Sequence, residues 1–284
     1  MPASNMNMNM NMNMNMNMAA GIGLPSVAPT QVRFNTSDYR KLVQNPKQWN
    51  LAVNPAPVFP VNWDPDLRSY VYLNEFLINN PGWFAVLQAA ATAVGPPTAS
   101  AATLEAELAA VLNASTDRDD RFAEILHQHD AEGAISYFLG MLMIDPARHP
   151  RTYLLVRTAR RIGELVTMTL KNSSMVPRPS QFCPAIVPMV DPPVTPSFPA
   201  GHALEATLIA LALKATWGQG PGRQSRRDLL DYLAARLGDN RVIAGLHFPL
   251  DIAAGAAVAV HCYPLMDTAG SLFHQLVLDA QAES

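Results

Sequence analysis

The chain has 284 residues, 49% of them hydrophobic and 15% charged, which is ample apolar material for a core and too much for a chain disordered throughout. Its 20 Lys and Arg against 23 Asp and Glu leave a net charge of −3, so it lacks the general basic character that recruits nucleic acid. Cys183 and Cys262 are too few for a disulfide scaffold, and no Cys/His spacing suggests a metal site.

Residues 1–20 are dominated by seven Asn-Met pairs, Asn5 to Met18. This low-complexity tail buries too little surface to offset its ordering entropy, and disorder is expected. Its thioethers could bind copper, but nothing else in the segment supports a metal role. The tail has neither a basic n-region nor a continuous apolar h-region, so it reads as no secretory signal. Residues 21–65 carry Pro25, Pro29, Pro46, Pro55, Pro57 and Pro60 with little periodicity, and read as an extended arm. That arm offers a route to a homo-oligomer by wrapping over a neighbouring subunit.

Helical periodicity starts near Asp66 and runs to the end, making 66–284 one helical domain. The predicted helices are Asp66–Asn80, Trp83–Val94, Ala101–Leu112, Asp117–His129, Ala131–Ile144, Pro150–Lys171, Gly201–Trp217, Arg226–Leu237, Pro249–Cys262 and Leu272–Ala280. No Val/Ile/Thr run alternates between turn signals as a sheet requires. The expected fold is all-α, a bundle of many helices. Ile252 to Val260, the most apolar stretch near the C-terminus, is short and Ala/Gly-rich, so no transmembrane span and a soluble, cytoplasmic protein are expected.

Several local features carry little. His127 and His129, two apart on a helix, diverge, and the acid- and arginine-rich run 117–121 reads as a solvated first turn. The glycine-dense Gly218–Gly222 follows no strand and reads as a loop rather than a phosphate cradle.

Three segments differ in kind. Lys171 falls in the last turn of its helix, and seven residues on Arg178 stands between Pro177 and Pro179, whose stiffness limits the entropy lost when the guanidinium grips an oxyanion. Gly201 and His202 open an apolar helix, where free N–H groups suit an anion and a histidine can exchange a proton with a leaving oxygen. In the third segment, Arg241 precedes His247 by six residues. Pro249 fits a first helical position, putting Asp251 in the first turn, able to take the proton of one His247 ring nitrogen and leave the other free as a nucleophile or ligand. Each segment alone has an ordinary structural explanation.

Together, Lys171-x6-Arg178-Pro, Pro199-x-Gly201-His202 and Arg241-x5-His247-x3-Asp251 resemble the superfamily of type 2 phosphatidic acid phosphatases, bacterial class A acid phosphatases and vanadium haloperoxidases. The resemblance implies that Lys171, Arg178, Arg241 and the Gly201 amide bind the oxyanion. It makes His202 the general acid/base, His247 the nucleophile and Asp251 its orienter. Two positions depart from the pattern: Ala200 and Asn240 stand where the family has serines. The lost hydroxyl at position 200 is worth roughly 1.5–3 kcal/mol if it bonds a charged group. The activity implied is hydrolysis of phosphate or diphosphate esters through a phosphohistidine, without a metal or other cofactor, on a small-molecule ester that can carry an apolar tail. A vanadium-dependent haloperoxidase, with His247 as vanadate ligand, is the alternative within the family. A non-catalytic oxyanion-binding protein is the alternative outside it.

Overall fold

The computed structural model describes residues 63–129, 131–217 and 223–283, so the 1–20 tail and all but the end of the 21–65 arm lie outside the described residues. Within them the chain is all-helical, as expected. The helices are α1 (Pro65–Asn79), α2 (Trp83–Val94), α3 (Ala101–Ala114), α4 (Arg118–His127), α5 (Ala131–Met141), α6 (Pro150–Ser174), α7 (Pro179–Phe182), α8 (Gly201–Thr216), α9 (Gln224–Ile243), α10 (Pro249–Met266) and α11 (Leu272–Gln281).

Local chemistry sets the ends. Asp64 accepts hydrogen bonds from the amides of Asp66 (2.8 Å) and Leu67 (3.3 Å), with Pro65 at the first position of α1. Ser100 and Ser271 cap α3 and α11 in the same way. The start of α6 has no side-chain cap of its own. Instead the Glu283 carboxylate accepts from the amides of Arg151 (2.9 Å) and Thr152 (2.8 Å), tying the C-terminus to the longest helix.

Helix α8 lies at the centre and packs against α6, α9 and α10. Its Leu204, Leu208, Ala212 and Leu213 are all fully buried, the pattern of a helix surrounded by others rather than half in solvent. Helix α2 covers α10, and α1 covers α6.

Several helices run further than their sequence suggests, α9 and α10 by the most. Gly238 looks like a stop after Leu237, yet α9 continues to Ile243. The glycine is there for contact: a Cβ on it would lie 2.6 Å from Cγ2 of Ile252. Helix α10 continues past Pro264 to Met266, and the carbonyl that loses its donor belongs to Val260, which is exposed.

These geometries bring one end of the bundle together. The last turn of α6, the first turns of α8 and α10, and the last turn of α9 carry Lys171, Gly201 and His202, Asp251, and Arg241 respectively.

Candidate active site

Lys171 is buried, and its Nζ donates to the carbonyls of Pro196 and of Ser197, the latter at 2.9 Å. Burial and the nearby Arg178 charge lower its pKa to about 7. Met175, in the left-handed region with φ 51°, ends α6 immediately afterwards and turns the chain toward Arg178.

The Arg178 side chain is also buried and almost fully committed. Its Nε donates to the carbonyls of Pro193 (3.1 Å) and Thr195 (3.0 Å), and its Nη1 to that of Leu246 at 2.8 Å. The same Nη1 lies 3.3 Å from Nε2 of His247. A guanidinium can only donate, so Nε2 presents its lone pair there and the ring proton sits on Nδ1. Nδ1 is 3.2 Å from Oδ2 of Asp251. That carboxylate oxygen also accepts from the Phe248 amide at 2.9 Å and from the Ser197 hydroxyl. The result is a chain of contacts from Arg178 through His247 to Asp251 that fixes both tautomer and ring orientation.

The other half of the site is built on α4. Gln128 follows the last residue of α4, and its backbone carbonyl takes Nε2 of His202 at 3.0 Å and Nη1 of Arg241 at 3.2 Å. Arg241 Nη2 reaches the Ile125 carbonyl at 3.3 Å, while its Nε is buried without a partner. The Gln128 turn is held from α9, where Asn240 Nδ2 donates to Gln128 Oε1 (2.9 Å) and to Glu124 Oε2 (2.8 Å). Arg236 grips the same Glu124 with contacts of 2.8–3.0 Å. Asn240 is thus engaged with α4.

The two halves meet at the start of α8. The Ala200 amide donates to the Asp251 carbonyl at 2.9 Å, locking α8 to the first turn of α10, and no side chain caps α8. Gly255 allows this approach, since a Cβ on it would lie 2.5 Å from the Ala200 carbonyl oxygen. The electrostatics follow the geometry. Burial and the charges of Lys171, Arg178 and Arg241 hold His247 well below the ordinary histidine pKa. Burial and then Arg241 lower His202 to about 3, with His247 contributing.

Among the residues the sequence singled out, Arg178, His247 and Asp251 are in direct contact, while His202 and Arg241 share an acceptor. Lys171 joins through the 196–197 backbone, and Gly201 opens α8 beside them. Sequence reasoning missed Ser197 and Gln128. Ser197 sits inside a proline-rich run with no helical register to assign its direction, and Gln128 acts through a backbone carbonyl, which no side-chain pattern reports. Two cavities flank the site. One of about 460 Å3 opens beside Arg178 between Val176, Gln181 and Val194, and one of about 300 Å3 lies between Ala91, Leu170 and Phe198.

No protein-family profile matches the chain. It is 27% identical over 168 residues to decaprenylphosphoryl-5-phosphoribose phosphatases of two Mycobacterium tuberculosis strains, a match covering 58% of this chain and 89% of each relative. Among solved structures it is similar to a transmembrane PAP2-type phosphatidylglycerolphosphate phosphatase from Bacillus subtilis, with a TM-score of 0.45 and 20% identity over 70% of this chain and 94% of that one.

These findings correct the expectation of a soluble, cytoplasmic protein without a span. The mycobacterial relatives are named for a decaprenyl-linked substrate. The short apolar stretch at 252–260 is part of the 18-residue α10, which is long and apolar enough to cross a membrane by length and composition, with 39% of it buried inside the bundle.

Proposed function

We infer that this chain is a phosphatase of the type 2 phosphatidic acid phosphatase superfamily, acting on a phosphate ester with an apolar tail through a phosphohistidine on His247. The observation that carries the reading is the Arg178–His247–Asp251 chain, which aims an imidazole lone pair into a buried cationic centre.

In the first step His247 Nε2 attacks phosphorus, the new N–P bond forms as the ester P–O bond breaks, and the leaving oxygen takes a proton from His202. Nδ1 keeps its proton on Asp251, which stabilises the developing positive ring. Lys171, Arg178, Arg241 and the α8 N-terminus spread the charge of the three equatorial oxygens. His202 is neutral in the free protein beside uncompensated cations; an incoming phosphate offsets them and raises its proton affinity, so that Nδ1 takes up, with the substrate, the proton it then gives to the leaving oxygen. The Gln128 carbonyl holds the Nε2 proton, leaving Nδ1 for proton exchange. In the second step that nitrogen takes a proton from water as the oxygen attacks phosphorus and the N–P bond breaks, releasing phosphate. The apolar tail is supported by the lipid-linked substrate in the name of the mycobacterial relatives.

The test is phosphate release by the purified full chain, in detergent, from a panel of lipid-linked, prenyl and water-soluble phosphate esters, with a parallel assay of bromination by vanadate and peroxide. The reading expects the highest kcat/KM on an ester with an apolar tail. Bromination without ester hydrolysis would overturn it, as would the absence of both activities.

A further inference from the structure

Alanine at position 200 removes a hydroxyl from the oxyanion site, and the structure places another hydroxyl beside the same turn. Thr167 stands one helical turn before Lys171 on α6, so the two share a face of that helix. Its side chain is fully buried, and Oγ1 has no hydrogen-bond partner, although a buried threonine in a helix readily bonds a carbonyl one turn back. A buried polar group left so costs free energy unless something outside the fold engages it. The neighbour it faces is the start of α8: a Cβ on Gly201 would lie 3.1 Å from Thr167 Cγ2 and 3.8 Å from its Oγ1.

We propose that Thr167 is a further oxyanion-binding residue, its Oγ1 hydroxyl donating to the phosphate held at the α8 N-terminus and taking over the part left open by Ala200. The assignment rests on the phosphatase reading above. Three observations combine in it: an uncapped 16-residue helix, an unpartnered hydroxyl buried against its first residue, and an alanine at position 200. Gly201 keeps this approach open, since a Cβ there would press on the Thr167 methyl. Glu205 Oε1 lies 3.7 Å from the same point, with Arg160 Nε at 3.8 Å from its other oxygen. Burial raises the pKa of this acid to about 7, so its protonated form tolerates an anion nearby.

The test is calorimetric titration of the full chain with inorganic phosphate and with orthovanadate, for the parent, Thr167→Val, Thr167→Ser, and Thr167→Val combined with Ala200→Ser. Valine is isosteric with threonine, and melting curves identify folded variants. Removing a hydrogen bond to a charged group weakens binding about ten- to a hundredfold. Thr167→Val is expected to do so, Thr167→Ser to stay near the parent, and Ala200→Ser to restore much of the loss in the valine background. Should the valine variant fail to fold, Thr167→Ala serves in its place. A parent that binds phosphate and a folded hydroxyl-less variant that binds it equally well overturn the Thr167 assignment alone. A parent that binds neither anion overturns the phosphatase reading and this assignment with it.

Discussion

The two halves of the site are held in different ways. His247 is oriented by Asp251, four residues away on the same chain segment, and by Arg178, whose guanidinium is held by the carbonyls of Pro193, Thr195 and Leu246. His202 is oriented by a backbone carbonyl 74 residues distant, at the end of a helix that carries no motif residue. The half proposed to carry the nucleophile thus has one local partner in Asp251, and the half proposed to transfer protons depends wholly on the docking of α4 against α9 through Asn240, Gln128, Glu124 and Arg236. Damage to α4 should spare the first half and misalign the second.

Asp251→Asn strikes the nucleophile half most directly. It keeps the shape but removes the carboxylate that fixes the Nδ1 proton, and kcat should fall on the order of 10²–10⁴-fold. Phosphate affinity should change little, as checked by steady-state kinetics beside calorimetry.

The shared cationic centre titrates, which sharpens the comparison because it belongs to both halves. Lys171, facing Arg178, Asp251 and Glu205, has a pKa of about 7 in the free protein, and Glu205 titrates near the same value. Protonating either group favours an anion, so binding takes up protons and strengthens as pH falls through about 7. Sulfate, which stays a dianion throughout, should bind about tenfold more tightly at about pH 6 than at about pH 8. Lys171→Met should flatten part of that slope and Glu205→Gln the rest, in affinity measurements across pH.

Asn240→Leu tests the proton-transfer half. It removes both donations that hold the Gln128 turn, and kcat should drop several-fold to about tenfold with KM nearly unchanged. The pH profile of kcat should move, whereas a loss confined to the melting temperature would give Asn240 a purely structural part.

Gly255→Ala tests the joint between the halves. The added methyl would meet the Ala200 carbonyl at 2.5 Å, an overpacking that typically costs about 1–3 kcal/mol. That corresponds to a melting temperature lower by about 2–10 °C, read by circular dichroism. An unchanged melting temperature would mean that α8 and α10 separate without cost there.

How much of this was legible follows from where each constraint lies along the chain. Helix starts at Trp83, Ala101, Pro150, Gly201, Pro249 and Leu272 were readable because proline, glycine or a serine cap stands at or beside each one. Helix ends were less so: Gly238 has the look of a stop signal and serves instead as a contact point for Ile252. The His247–Asp251 contact was legible because the i, i+4 register fixes it locally, whereas that of Arg178 with His247, across 69 residues, was implied only by the family resemblance. The acceptor of His202 and Arg241 was not, because it is a main-chain oxygen brought in across 74 and 113 residues by tertiary packing. In the sequence Asn240 is only a departure from the family pattern, yet it links α9 to α4, a part visible only once both helices are placed. The soluble, cytoplasmic expectation weighed only residues 252–260, whereas α10 runs over Pro249–Met266, and the lipid-linked substrate in the relatives' name is not written in this chain's composition.

The central claim is that His247 Nε2 carries the phosphoryl group between substrate and water. The direct measurement is to quench the full chain rapidly during turnover of a 32P-labelled lipid phosphate, and to map the label by peptide mass spectrometry. The account predicts an acid-labile, alkali-stable phosphate on His247 that disappears with His247→Gln. Label on another residue, or turnover by His247→Gln at the parent rate, would contradict it.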